Sequence, residues 1–333
     1  MKKLARLLFV SSMLAAATGL SACGADAGKT VIGILQPVEH AALTAAREGF
    51  MEAINDAGLN VKFQYQNANG VEADQNTMAK SLVAKSALTL GIGTGASLSL
   101  QAAALNSGST KPILFTAVTD PVDAGLVASN DAPGGHITGA SDMNPVAAQI
   151  DLIKECLPSA QKIGIFYTQS ETNSKVQADM AAAEAARQGL AVEIMTCTDS
   201  SDIAANINTL CGSKNIDALY IPTDNNVAAH MQPVKNAVEN YHILTVCGEE
   251  SLMARGGHIT LSISYKELGR RTGEMAVKIL RDGADPATMP VISMTAAECS
   301  YVMCNANAEA AGVTIPDSVK AKCTNVDPAN DNE

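Results

Sequence analysis

Polar side chains gather in short clusters, each placed directly after an apolar run: Glu39 and His40, Thr94 through Ser97 with Gly95 and Ala96 between them, Thr119 and Asp120, Glu171 with Asn173 and Ser174, Thr223 with Asp224 and Asn225, and Gly248 with Glu249. Carboxylates, hydroxyls, amides and an imidazole in such places suit ligand binding. Asp, Thr, Ser and Asn at helix starts are also ordinary N-caps, so each position has an architectural reading beside the functional one. Catalysis finds less support. Cys247 stands beside Glu249 and Glu250 without a positioned histidine, which would leave its thiol unreactive. There is no phosphate-binding loop, no G-x-S-x-G and no H-E-x-x-H. Gly91-Ile-Gly-Thr-Gly95 lacks the third glycine of a dinucleotide loop and follows a third strand rather than a first. The five histidines are scattered and no two cysteines form C-x-x-C, so neither a zinc site nor any other cofactor is expected.

The elements that would hold these clusters read as alternating strands and helices. Val31–Gln36, Val61–Gln66, Ala87–Gly91 and Ile113–Thr116 are brief and mainly apolar, as buried strands are. Ala41–Ala57 puts Leu43, Ala46, Phe50 and Ile54 on one face and stops at Gly58, as an amphipathic helix does. Strands separated by single helices predict an α/β fold with parallel sheets. The plan occurs twice. The segments from Val31, Leu90 and Ile113 have counterparts from Lys162, Leu219 and Ile243, all offset by roughly 130 residues. Two Rossmann-like lobes follow, joined by a three-segment hinge, and the polar clusters fall at the carboxyl ends of strands, where open parallel sheets bind ligands. The first lobe is expected to comprise residues 30–140 and 258–283, the second residues 141–257 and 284–322, and residues 323–333 a disordered tail.

Lys2, Lys3 and Arg6 precede an apolar run from Leu7 to Leu20, the pattern of a signal peptide over residues 1–22. Leu20-Ser-Ala-Cys23 then resembles a bacterial lipobox, with Cys23 as the lipidated residue and residues 23–29 as a tether to an extracytoplasmic membrane face. A net charge of −11 argues against nucleic acid, whose phosphates require a basic surface. Seven cysteines remain after Cys23, an odd number, so at least one thiol stays free; Cys197 with Cys211, or Cys299 with Cys304 or Cys323, are candidate pairs. A monomer is expected.

Several motifs together resemble the lipoprotein substrate-binding components of ABC importers for tryptophan, tyrosine and related amino acids: Gln36-Pro-Val-Glu-His40, Thr119-Asp-Pro-Val-Asp-Ala-Gly-Leu-Val127, Ile137-Thr-Gly-Ala-Ser-Asp142, Glu171-Thr-Asn-Ser174, Pro222-Thr-Asp-Asn225 and Tyr265-Lys-Glu-Leu-Gly-Arg-Arg-Thr-Gly273. The resemblance implies a type I periplasmic-binding-protein fold, a zwitterionic and often aromatic amino acid between the lobes, and a permease and an ATPase as partners. Ser264 stands where that family commonly has an aspartate. On this reading Asp120, Asp224 or Glu249 meets the ligand's ammonium. Thr94, Ser97, Ser174 and Thr223 hold its carboxylate, Gly95, Ala96 and Gly248 leave space for a ring, and Tyr167 or Tyr265 flanks it. Asp142 and Ser264 complete the candidate set. An alternative is a sensing lipoprotein that presents its solute to a membrane receptor.

Overall fold

The computed structural model describes residues 28–329, so the expected signal peptide and the expected lipidation site Cys23 lie outside the described residues. The first half runs β1 (Thr30–Gln36), α1 (Ala41–Asp56), β2 (Val61–Asn67), α2 (Glu72–Lys85), β3 (Leu88–Ile92), α3 (Thr94–Ser107), β4 (Ile113–Val118) and β5 (Ile137–Ser141). The second runs α4 (Val146–Cys156), β6 (Lys162–Thr168), α5 (Thr172–Arg187), β7 (Ala191–Cys197), α6 (Ile203–Ser213), β8 (Ala218–Ile221), α7 (Asn225–Ala229), α8 (Gln232–Tyr241), β9 (Leu244–Cys247) and β10 (Ile259–Ser262). The remainder comprises α9 (Tyr265–Asp282), β11 (Ile292–Ser293), β12 (Ser300–Met303), α10 (Asn305–Ala310), α11 (Asp317–Lys320) and β13 (Thr324–Asn325).

Two sheets result, with orders β11-β5-β4-β3-β1-β2 and β13-β12-β10-β9-β8-β6-β7. Their central strands correspond one to one, β5-β4-β3-β1-β2 against β10-β9-β8-β6-β7, which is the duplication expected from the sequence offsets. Pairing is parallel except between β10 and β12. Period-2 alternation divides each strand between two cores. In β1, Ile32 and Ile34 pack against α1 and α9 with Phe50, Leu268 and Met275. The next residue, Leu35, packs on the other side with Leu82, Leu100 and Phe115.

Helices α1 and α9 meet backbone to backbone. A Cβ built on Gly269 would lie 1.9 Å from the Ala46 carbonyl oxygen, and one on Gly49 would lie 2.0 Å from that of Lys266. Only glycine fits such an approach.

The chain passes between the sheets three times, but two passages differ from expectation. The second was expected at residue 258; instead β10 stays with the second sheet, pairing Ile259 with Val246 and with Met303 of β12, so the chain leaves after Ser262. The third was expected between residues 283 and 290. There Val291 N–H donates to the Asn130 carbonyl, and Ile292 and Ser293 pair with Ala140 and Ser141 of the first sheet, so the passage follows Ser293. Residues 323–329 are not the loose tail expected: Thr324 and Asn325 pair with Val302 and Met303, and Val326 N–H donates to Met303 O. All seven described cysteines are free thiols.

Candidate functional site

The carboxyl ends of both sheets face each other around one cavity of about 10 Å³, space for roughly a single water. The first lobe lines it with His40, Leu43, Ala117, Thr119 and Asp142, and Tyr265 enters from the start of α9. The second lobe contributes Asn173, Thr223, Asp224, Asn225 and Glu249. Two contacts join the lobes across it: His40 Nε2 lies 3.2 Å from Asn225 Oδ1, and the hydroxyls of Thr119 and Thr223 are 3.5 Å apart.

Each carboxylate of the site has a distinct set of partners. Asp142, at the end of β5, accepts from two hydroxyls, Thr119 at 3.1 Å and Tyr265 at 2.7 Å. Asp224 caps α7: its carboxylate accepts from the N–H groups of Val227 (2.8 Å) and Thr168 (2.7 Å) and from the Thr168 hydroxyl (2.8 Å). Glu249 accepts from the N–H and the hydroxyl of Ser251, both at 2.6 Å, and so starts the 3₁₀ turn Glu250–Arg255. Glu171, just behind Asn225, accepts from Asn225 N–H (3.0 Å), Asn225 Nδ2 (2.7 Å), Asn226 N–H (2.9 Å) and Asn173 Nδ2 (3.2 Å).

Burial sets the electrostatics. It pushes the carboxyls of Asp142 and Asp224 above their ordinary range and that of Glu249 up to about 7, because an anion loses its hydration there. Glu171 is raised by burial and then by the neighbouring Asp224 charge. The same desolvation lowers His40 to about 4, so its ring is neutral. Among the described residues no lysine or arginine lines the cavity. Three acids around a cationless space favour a ligand that brings positive charge.

Of the other expected positions, several stand away from the cavity. Glu39 is half exposed and is held by Arg47, Thr44, Tyr65 and Asn67 of its own lobe. Thr94 is buried, Gly95 is exposed at the start of α3, Ala96 belongs to the first lobe's core, and the Ser97 hydroxyl donates back to the Gly93 carbonyl. Asp120 accepts from Val122 and Asp123 N–H and closes a turn. Tyr167 is in the core of the second lobe. The Ser174 hydroxyl donates to the Thr223 carbonyl, which fixes the strand end that carries Thr223 and Asp224. Gly248 sits behind them, where a Cβ would lie 2.5 Å from Thr223 N. Ser264 caps α9 by accepting from Glu267 N–H.

Leu43 was expected only on the apolar face of its helix, and Ala117 was not expected at the site. Leu43 follows the helical stripe of α1, and its buried face extends to the cavity. Ala117 has φ +56° where the β4–β5 register slips between Phe115 and Val118. Nothing in an alanine signals a left-handed bulge.

The chain matches the family model for ABC transporter substrate binding protein over residues 31–327. It is 36% identical over 272 residues, covering 80% of this chain and 77% of the relative, to the tyrosine-binding protein of Clostridioides difficile (strain R20291). A structure from Streptococcus pneumonia in complex with L-Trp is 32% identical, with TM-score 0.82 over 90% of this chain and 99% of that one. The ligand-free, open structure of a substrate-binding protein with adhesive properties from Clostridium difficile is 34% identical, with TM-score 0.67 over 90% and 100%. Sugar- and inositol-binding proteins at 13 to 16% identity share the type I periplasmic-binding-protein fold. Two duplicated lobes, a site built at their facing strand ends and a family match across nearly all the described residues agree: the chain belongs to the ABC transporter substrate-binding protein family.

Proposed function

We propose that this substrate-binding protein takes an aromatic L-amino acid between its lobes and delivers it to an ABC permease and its ATPase, held at an extracytoplasmic membrane face by lipid on Cys23. The observation that carries the ligand class is the set of three buried acids, Asp142, Asp224 and Glu249, around a cavity that no described lysine or arginine lines. An ammonium is the complement of such a site. Asp142 is its receiver, because both its partners are hydroxyls that can turn, whereas Asp224 is committed to backbone N–H groups. The Thr223 hydroxyl is a neutral donor for the ligand's carboxylate, and Leu43, Ala117 and Tyr265 are the apolar surfaces against which a ring would lie. Burying about 150–250 Å² of ring contributes on the order of 4–6 kcal/mol, a large part of the roughly 8 kcal/mol of micromolar binding.

The small cavity ties admission of the ligand to parting of the lobes, and the cross-lobe contacts at His40 and Thr119 support reading the described conformation as the closed end of that motion. The higher TM-score with the L-Trp complex than with the open relative supports the same reading. Calorimetry on the soluble domain with the twenty amino acids tests it. Tryptophan, tyrosine or phenylalanine should bind with a smaller radius of gyration on saturation; heat from none of the twenty would sink the assignment.

A further inference from the structure

The orientation of one amide fixes the protonation pattern of the histidine opposite it. Each oxygen of the Glu171 carboxyl already accepts from a backbone N–H, Oε2 from Asn225 and Oε1 from Asn226, so the Asn225 side chain turns its donor, Nδ2, toward it at 2.7 Å. The Asn225 Oδ1 is thereby aimed across the cleft, 3.2 Å from His40 Nε2. A carbonyl oxygen only accepts, so Nε2 carries the proton and the lone pair of the neutral ring is on Nδ1. Nδ1 is buried and has no hydrogen-bond partner among the described residues, and the ring, 8% exposed, lines the cavity.

We propose that His40 clasps the two lobes through Nε2–H and, with Nδ1 of the same ring, accepts an N–H or O–H of the bound ligand, which makes it both a positioning residue for closure and a determinant of specificity. The proposal rests on the amino-acid reading above. The charged groups around the ring are Glu39 beside it in the chain, Arg255 from the 3₁₀ turn of the second lobe, and Asp142, Asp224 and Glu249 on the cavity wall. Arg255 opposes protonation of the ring and Glu39 favours it, while burial outweighs both. The ring therefore stays an acceptor toward the cavity. Solutes lacking a donor at this position leave Nδ1 buried and unpaired, and are disfavoured for that reason.

L-tryptophan is the probe. Glutamine can put its amide nitrogen where Nε2 stands but has nothing at Nδ1; alanine has neither. His40→Gln should compact on saturation like the wild type while binding about tenfold more weakly, and His40→Ala should bind more weakly still and compact incompletely by X-ray scattering. Nitrogen-15 spectra of the saturated wild type should show the Nε2–H tautomer. A protonated Nδ1 with bare Nε2, an alanine variant that binds and compacts as the wild type does, or a glutamine variant as open as the alanine one overturns the proposal while leaving the amino-acid reading intact. If the wild type ignores all three aromatic amino acids, both fall together.

Discussion

The two lobes share five strands in one order, yet they treat their acids differently. In the second lobe Asp224, Glu171 and Glu249 are absorbed into the architecture: the first caps α7, the second gathers four N–H groups, and the third starts a 3₁₀ turn. In the first lobe Asp142 ends β5 with two hydroxyls for company and a cavity in front of it. Duplication therefore supplied one frame twice, and the two copies diverged in what their strand-end carboxylates hold. The second lobe's hold the fold, as Asp120 does in the first, whereas Asp142 is available to hold a ligand.

The largest effect expected from this division is on Asp224→Ala. The variant orphans the N–H groups of Thr168 and Val227 in a buried place, which costs about 3 kcal/mol of stability, visible as a lower urea midpoint. A variant as stable as the wild type would put Asp224 on the ligand's side of the division. Asp142→Asn should do the opposite. It keeps the shape but removes the charge, so calorimetric affinity for the ligand should fall at least about tenfold, ~1.4 kcal/mol, with stability unchanged or raised because a buried anion is gone.

A pH series separates the buried imidazoles from the buried carboxyl. His258 is in the second lobe, its Nδ1 accepts from Thr245 N–H at 3.1 Å, and burial lowers it to about 4. The unfolded chain binds this proton near pH 6.5 and the folded one only near 4, so the stabilisation is full above 6.5 and is lost as pH falls, about 1.4 kcal/mol per unit in that window. His40 in the first lobe has the same sign. Glu249, raised from 4.5 to about 7, has the opposite one: its contribution to stability declines as pH rises through that range. His258→Asn retains an acceptor without the titration. Its stability between pH 6.5 and 4 should slope by one proton less than the wild type's, and an unchanged slope would remove His258 from the account. The smallest effect is expected at Glu39→Gln: half exposed and bound within its own lobe, it should change stability by less than about 1 kcal/mol and affinity not at all, by denaturation and calorimetry together.

Much of the frame is legible in the residues themselves. Alternating short apolar runs and helical stripes mark the strands and α1, and the repeated spacing marks the two lobes. The passages between lobes are harder to place because β10 is four residues long and β11 only two. Segments that short have no period to read, and their partners are more than ten residues away in sequence. At the site, His40, Thr119, Asp142, Asn173, Thr223, Asp224, Asn225, Glu249 and Tyr265 are the positions among those expected that the structure brings to one cavity. Gly95 and Ala96 suggested room for a ring, but one is exposed and the other is packed in the core, and the neighbouring Gly91 answers a packing demand: a Cβ on it would lie 2.6 Å from the Ser97 hydroxyl, where α3 rests on β3. Glycine spacing alone does not distinguish space for a ligand from space for a helix.

The bare contact between α1 and α9 has a mechanical consequence. His40 immediately precedes α1, and Tyr265 opens α9 directly after the second passage between lobes, so both ends of the welded pair point into the cleft. With the backbones in direct contact at Gly49 and Gly269, and Lys266 paired with Glu52 across the two helices, a turn of the linker at Ile263 and Ser264 carries the imidazole with it, as a lever carries its tip. A dye on the solvent side of α9, far from any solute, would report the swing.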